Sequence, residues 1–435
     1  MIKIINWNNS ESKTLIEKML NRGNIDFEEY YSSVKSIIDD VLKEKDFALI
    51  KFTKKFDNYE LNRENYFYSK DDFKEAYNSI ESTYKKILDK AAIRIEKYHQ
   101  NQKINSWFHY EENGTILGQK ITPIEKVALY VPGGKALYPS TVLMTGIPAK
   151  VAGVKKIFIT CPIFNREKGK LILAAAHIIG AEKLYKIGGA HAVAAVAYGT
   201  DWVEKVDKVV GPGNIYVAVA KKLLFGTIDI DMIAGPSEIL IIADEYANAD
   251  YIVADMFSQA EHDELASSIL VTNSEQLALL VKNKISEKIN RAERKNILEK
   301  SLSNHGAIII TKDINQAIEV ANSIAPEHLE ILVKNPFEIF PQIKNAGAIF
   351  LGEFSPEPVG DYMAGPNHVL PTSGTARFFS PLGVYDFIKR SSVIALSKEC
   401  FKELQNDVYN FANAEGLYSH ADSVNIRSTQ KYEKS

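Results

Sequence analysis

Cysteine is nearly absent from this sequence: Cys161 and Cys400 are the only two in 435 residues. So few cannot build a disulfide framework or a thiolate zinc site, and they suit a reducing compartment, so a cytoplasmic location is expected. An excess of one charge is lacking too. Lys plus Arg total 52 against 55 Asp plus Glu, a net charge of -3. That balance gives no electrostatic reason to expect nucleic acid or an anionic membrane as partner. No apolar run approaches the length of a membrane span. The opening "MIKIINWNNSESK" has no basic segment followed by an apolar stretch, so no signal peptide is expected. Solenoid-period repeats and low-complexity tracts are missing as well. What is present is ordinary globular composition, 46% hydrophobic and 25% charged, in a chain too long for one core.

From about Asn24 to Tyr110 the pattern is helical, charged and rich in Lys, Glu and Tyr, as in "YKKILDKAAIRIEKYHQNQ". From Gly118 to Ile242 short apolar runs alternate with Ala-rich helical segments: "KVALYVPGG", "KKIFITCP", "KLYKIGGA", "KVVGPGN", "EILIIAD". Runs closed by Gly or Pro and followed by helix-like stretches read as parallel strands in βαβ units. "SSILVTN", "HGAIIITKD", "LEILV" and "NAGAIFLG" continue the series. The expected fold class is α/β with two Rossmann-like lobes. An N-terminal arm (1–25) precedes a helical region (26–122) joining the second lobe. The first lobe covers 123–237, the second 238–383, and a helical tail 384–435. Between Gly352 and Gly383 the chain is rich in Gly and Pro without periodicity, and a loop that long is more often functional than idle.

Taken singly, the polar residues are weak signals. In "DMFSQAEHDELASSIL", Gln259 and His262 lie three apart on one face of an expected helix. That spacing suits a solvated stripe as well as half of a metal site, and with no Cys available the other ligands must be His or carboxylate. "APEHLEILV" places Glu327 and His328 after a helix-stopping Pro and before a strand, where adjacent side chains point to opposite sides and two proton carriers could flank a reacting carbon. Asp361 and His368 lie in the Gly/Pro loop, where an Asp after Gly is usually a turn residue. Glu415 and His420 are separated by roughly 140° around a continuous helix, so Gly416 interrupts it or the two have separate jobs. "YKIGGAHAV" and "VVGPGNIY" look like strand, Gly turn and helix start, where N–H groups could meet phosphates, and "VPGG" (131–134) is only a turn that could contact an anion. None is the dinucleotide fingerprint.

Taken together they are specific. "VALYVPGGKALYPSTVLM", "GPGN", "AGPSE", "SQAEHD", "APEHLE", "GDYMAGPNHVLPTSGTARFFSPLGVYDF" and "AEGLYSHADSV" occur in order and at the separations found in the histidinol dehydrogenases, and the likeness runs from about Asn24 to Arg427. The sequence resembles that family. The resemblance implies two-lobed homodimers that oxidise L-histidinol to L-histidine through histidinal in two NAD-dependent steps, the last stage of histidine biosynthesis. It implies one zinc ion held by Gln259, His262, Asp361 and His420, with the C-terminal tail reaching the partner subunit to complete a shared site. His328 corresponds to the base that takes the alcohol proton and Glu327 to the base that activates water. Ser237, His368 and Glu415 correspond to substrate contacts, beside the metal ligands and His328. Tyr130, Asn214 and position 191 correspond to NAD contacts.

One departure is plain: His191 stands in "GGAHA" where the family usually has Gln. Histidine still hydrogen-bonds, so NAD binding is expected to persist, weaker and pH-dependent. Ile233 stands where Pro is common, a minor conformational change. Mn²⁺ accepts the same ligands as zinc. A zinc hydrolase is the rival reaction class, since a metal beside a water-activating Glu is also its layout, but it leaves the two Gly-turn lobes unexplained. A non-catalytic relative would have lost ligands or proton carriers, and none is lost.

Overall fold

The computed structural model describes residues 2–7, 14, 17, 28–133 and 137–429. Most of the expected N-terminal arm, and Gly134 of "VPGG", lie outside them. The chain divides into two compact units, Met1–Gln102 with Ile124–Phe387, and Lys103–Pro123 with Ile388–Ser435.

The larger unit is α/β with two six-stranded sheets. The first runs in the order Phe67–Tyr68, Lys183–Tyr185, Lys156–Thr160, Lys126–Tyr130, Lys208–Val210, Asp229–Ile230. Every pairing is parallel except that of the edge strand Phe67–Tyr68. Its central strands are apolar on both faces, because helices cover both: Val127, Ala128 and Leu129 are each fully buried. Gly153 and Gly180 stop the crossover helices Pro139–Ala152 and Lys170–Ile179 in the left-handed conformation.

The helices of 28–100 pack mainly on this first sheet's helices, where the sequence suggested the second lobe; only Ser82–Gln100 also reaches that region, Arg94 Nε donating to the Met363 carbonyl. Val34, Ile37 and Val41 of Glu28–Glu44 share a core with Val193 and Val217. Leu88, Ala92 and Ile95 of Ser82–Gln100 share another with Leu143 and Ile147. The apolar stripes of these helices are visible in the sequence; which surface they cover is a tertiary choice that periodicity does not encode.

The second sheet is wholly parallel, in the order Lys3–Asn6, Ala307–Ile310, Ser267–Thr272, Glu238–Ala243, His328–Leu332, Ala348–Leu351. Residues expected to be an arm thus supply its edge strand. From Glu238–Ala243 the chain builds outward to one side, then crosses back to the other side at His328–Leu332. Between the parallel strands Glu238–Ala243 and Ser267–Thr272, the helix Ala249–Ala260 must run antiparallel to both. Its last turn therefore returns to the edge where the strands begin, beside Glu238 and His328.

The smaller unit holds an antiparallel sheet, Ile388–Ala395, Ile116–Pro123, Trp107–Tyr110, followed by helices Lys398–Ala414 and Tyr418–Thr429. The expected helical tail thus opens with a strand: "IKRSSVIA" is rich in β-branched residues and pairs along its full length with Ile116–Pro123. Gly416, at φ +73°, separates the two helices. No helix among the described residues is long and apolar enough to cross a membrane.

Candidate active site

Five buried acids and a histidine meet at the starting edge of the second sheet. Glu327 and His328 do not diverge as an extended dipeptide would: Glu327 Oε2 lies 3.7 Å from His328 Nδ1. The reason is local. Ala325, at φ +53°, and Pro326 end the preceding helix, and Glu327 occupies a bend before the strand opens at His328. One neighbour, Glu238, holds both. Its N–H donates to Glu327 Oε2 at 2.8 Å. Its carbonyl oxygen accepts from His328 Nδ1 at 3.0 Å. Its carboxylate in turn accepts from the N–H of Ser373 at 3.1 Å. With Nδ1 committed, His328 Nε2 is the working nitrogen; it is buried without a hydrogen bond, 3.8 Å from Asp361 Oδ1.

Burial pushes the Glu327 carboxyl up to about 8, against the pull of His328. Burial alone would lower His328, but the Glu327 carboxylate, with Asp361 and Glu357 behind it, lifts it to about 10. Asp361 moves the other way. Its burial is outweighed by His328, His368 and His262, which hold it below the usual carboxylate range.

His262, Glu357 and Asp361 present ligand atoms that all lie within 4.8 Å of one another. The helix carrying Gln259 ends at Ala260, so His262 lies just past it rather than on its face. A tight closing turn, His262 N–H to Gln259 carbonyl at 3.3 Å, keeps the two together. Asp361 stands on the π-turn Gly360–Ala364. The donor set suits a divalent cation. Glu238, Asp255, Glu327, Glu330 and Glu357 are all buried here. The Glu330 and Glu357 carboxylates each keep one oxygen without a hydrogen bond, and burial raises Glu357 to about 7. Such a crowd of carboxyls needs protons or a cation.

His368 is brought in as well: Nδ1 lies 3.2 Å from the Asp361 carbonyl and Nε2 3.4 Å from Thr141 Oγ1. Ser237, half-buried, immediately precedes Glu238. His420 and Glu415 belong to the smaller unit, where both are exposed. Glu357, Glu330, Asp255 and Glu238 escaped the sequence reading. The available signal was Glu357 inside the Gly/Pro segment; an acid within an apolar strand or on a helix reads as a surface residue until the helix is placed over the sheet.

The expected NAD contacts lie in the first sheet. Strand order reverses there between Lys126–Tyr130, which ends on Tyr130, and Lys208–Val210, which leads into "GPGN". That is the place where open α/β sheets take ligands. The Tyr130 hydroxyl accepts from Gly189 N–H at 2.9 Å. Asn214 caps helix Ile215–Leu224, its side chain accepting from Val217 N–H at 3.2 Å. Gly211 sits at φ +114°, and a Cβ there would meet the Tyr130 carbonyl oxygen at 2.2 Å, so this turn requires glycine. A buried ion pair ties the turn down: Lys221 Nζ donates to Asp231 Oδ1 at 2.6 Å and to the Gly211 carbonyl at 2.5 Å, while Asp231 accepts from Gly211 N–H at 2.6 Å. Lys221→Met strands the Asp231 charge and is expected to cost about 3–5 kcal/mol in denaturant unfolding. A loss under about 1 kcal/mol would show the pair to be dispensable.

His191 is buried, with Nε2 3.4 Å from Thr53 Oγ1 and its ring against Phe52 and Phe56. Burial lowers its pKa to about 3, so the ring is neutral at physiological pH and supplies no charge to carry the expected pH dependence. Cys161 is fully buried, and burial pushes its thiol up. A thiolate nucleophile needs the opposite, so Cys161→Ala and Cys400→Ala are expected to leave catalysis intact; a folded but inactive Cys161→Ala refutes this.

A parallel-sheet α/β protein with a His/carboxylate cluster beside a paired Glu and His is the frame of an oxidoreductase or a metal-dependent hydrolase, and comparison separates them. The family model described as "Histidinol dehydrogenase" matches residues 20–428. Histidinol dehydrogenase of Aquifex aeolicus is 55% identical over 412 residues, 95% of this chain and 96% of that protein. That of Caldanaerobacter subterraneus is 51% identical, covering 98% and 99%. The crystal structure of histidinol dehydrogenase from Elizabethkingia anophelis is similar at a TM-score of 0.86, with 37% identity and 91% of each chain covered. The chain belongs to the histidinol dehydrogenase family.

Proposed function

We propose that the protein oxidises L-histidinol to L-histidine by way of L-histidinal, a four-electron reaction in two NAD-dependent steps, with one zinc ion per subunit. The supporting observation is the pairing of Glu327 and His328 on the main chain of one residue, Glu238, beside the His262–Glu357–Asp361 cluster. Gln259, His262 and Asp361 would hold zinc, with His420 from a second copy of the chain. When bound, zinc supplies a Lewis-acid anchor for the substrate's nitrogens and NAD accepts hydride.

The chain's own groups move the protons. His328 Nε2, its ring fixed through Nδ1, takes the alcohol proton in the first oxidation. Glu327, oriented through Oε2, takes a proton from the water that adds to the aldehyde, and the hydrate is the reductant in the second. Ser237, His368 and the second copy's Glu415 position the substrate. Tyr130, His191 and Asn214 line the NAD side, where the strand-order reversal and the helix starting at Gly189 favour a pyrophosphate.

A shared homodimeric site is supported by the smaller unit's apolar surface: Tyr110, Ile394, Phe411 and Tyr418 are 70%, 71%, 70% and 69% exposed. Two buried, unpaired cysteines agree with a cytoplasmic enzyme. Product counting with zinc, NAD and limiting histidinol tests the reading. Two NADH per histidine are expected. One NADH with aldehyde accumulating removes the Glu327 step, and none, with metal bound, overturns the substrate assignment.

A further inference from the structure

A glutamine metal ligand poses a problem that a carboxylate does not. Its two ends are nearly the same size, but only the oxygen has a lone pair to give; presented the other way, N–H groups face the cation. Something must select the end. Gln259 is buried, and one arm of its amide lies 3.3 Å from Glu357 Oε1 and 3.2 Å from the Glu238 carbonyl oxygen. That arm is therefore the nitrogen. His328 Nδ1, also at 3.2 Å, is no acceptor here because it donates to the same Glu238 carbonyl. Both amide protons are thus taken, one by the main chain and one by a side chain.

The residue that carries this carboxylate is itself held at its main chain. Glu357 N–H donates to Glu330 Oε1 at 2.8 Å, and Glu330 is fully buried on the strand that begins with His328. Glu330 fixes Glu357, and Glu357 meets Gln259. We infer that Glu357 is a positioning residue, which by accepting from the Gln259 nitrogen fixes the amide oxygen as the end offered to the metal. This rests on the metal reading above. It is distinct from the other use open to Glu357, direct ligation alongside His262 and Asp361.

A double-mutant cycle on metal affinity separates the two uses. The full-length protein is stripped of metal, and Zn²⁺ binding is measured by competition with a chromogenic chelator. The variants are Glu357→Ala, Glu357→Gln, Gln259→Ala and Gln259→Ala/Glu357→Ala, with a melting curve for each metal-free protein. Outer-shell partners of metal ligands are typically worth about 10–100-fold in affinity. Glu357→Ala is expected to show that loss, and Glu357→Gln a smaller one, because its amide oxygen still accepts. In the Gln259→Ala background, removing Glu357 is expected to cost nothing further. Wild-type affinity in Glu357→Ala overturns the inference, and so does a loss that is the same with and without Gln259, which marks Glu357 as a ligand in its own right. If Glu357→Ala does not fold, Glu357→Leu, of similar size and without an acceptor, carries the same cycle. A wild-type chain that binds no Zn²⁺ overturns the metal reading, and this inference with it; a chain that binds Zn²⁺ indifferent to residue 357 overturns the inference alone.

Discussion

Substituting Gln for His328 is expected to lower kcat by about 10²–10⁴-fold, the usual worth of a positioned general base, while leaving Zn²⁺ uptake close to wild type. The ring is buried, its Nδ1 is committed to Glu238, and its Nε2 has no hydrogen bond. A purely structural histidine would have both nitrogens occupied. Glu327→Gln is expected to divide the two oxidations: alcohol to aldehyde proceeds, while aldehyde oxidation falls by a similar factor and one NADH appears per substrate. Single-turnover traces from histidinol and from histidinal read the two effects separately. Full kcat in His328→Gln would remove it from the mechanism. Both groups must shed a proton to act as bases, and they do so at about 8 and about 10 in the metal-free site. The activity is therefore expected to climb on the alkaline side of neutrality, and a bound cation draws the rise toward lower pH.

Removing the metal is expected to destabilise the protein by about 4 kcal/mol, relative to protein with free metal a thousandfold above its Kd. The deficit should widen as pH rises. Glu327 ionises near 8 and Glu357 near 7 in the folded chain, where burial opposes the charge. Burial likewise raises Asp255 and Glu330. In the unfolded chain all four ionise in the ordinary carboxylate range of about 4. Between those limits the native state binds more protons than the unfolded state, so stability falls with rising pH. His328 adds to the trend: its raised pKa gives stability that is full below about 6.5 and lost through about 10. Melting curves at about pH 5.5 and about pH 8.5, with and without Zn²⁺, read this directly. A metal-free protein that melts higher at the alkaline pH would contradict the buried-acid account.

The α/β alternation was readable because every central strand is a short apolar run, closed in the first sheet by Gly or Pro, and covered strands need that composition on both faces. Gln259, His262, Glu327, His328, Asp361 and His368 could be singled out because each stands in a motif or in a loop rich in Gly and Pro. Glu330 and Asp255 could not. Their neighbourhood exists only once a helix crosses a sheet, and neither position carries a local mark of that crossing. The main support of 28–100 was misplaced for the same reason: an amphipathic stripe declares that it will be covered, without naming the surface. His420 and Glu415 gained their meaning from family resemblance alone, since both lie exposed in the smaller unit.

The grip of Glu238 on Glu327 and His328 has a consequence for how this protein can change. Both bonds come from the peptide N–H and C=O, so drift of the side chain at 238 leaves them standing. A change to proline, which deletes the N–H, is the one substitution there that takes away Glu327's donor directly. The placing of Glu327 and His328 is thus insured by an atom pair that every other amino acid also possesses. Comparing side chains across relatives would overlook the position, although the alignment of Glu327 and His328 depends on it.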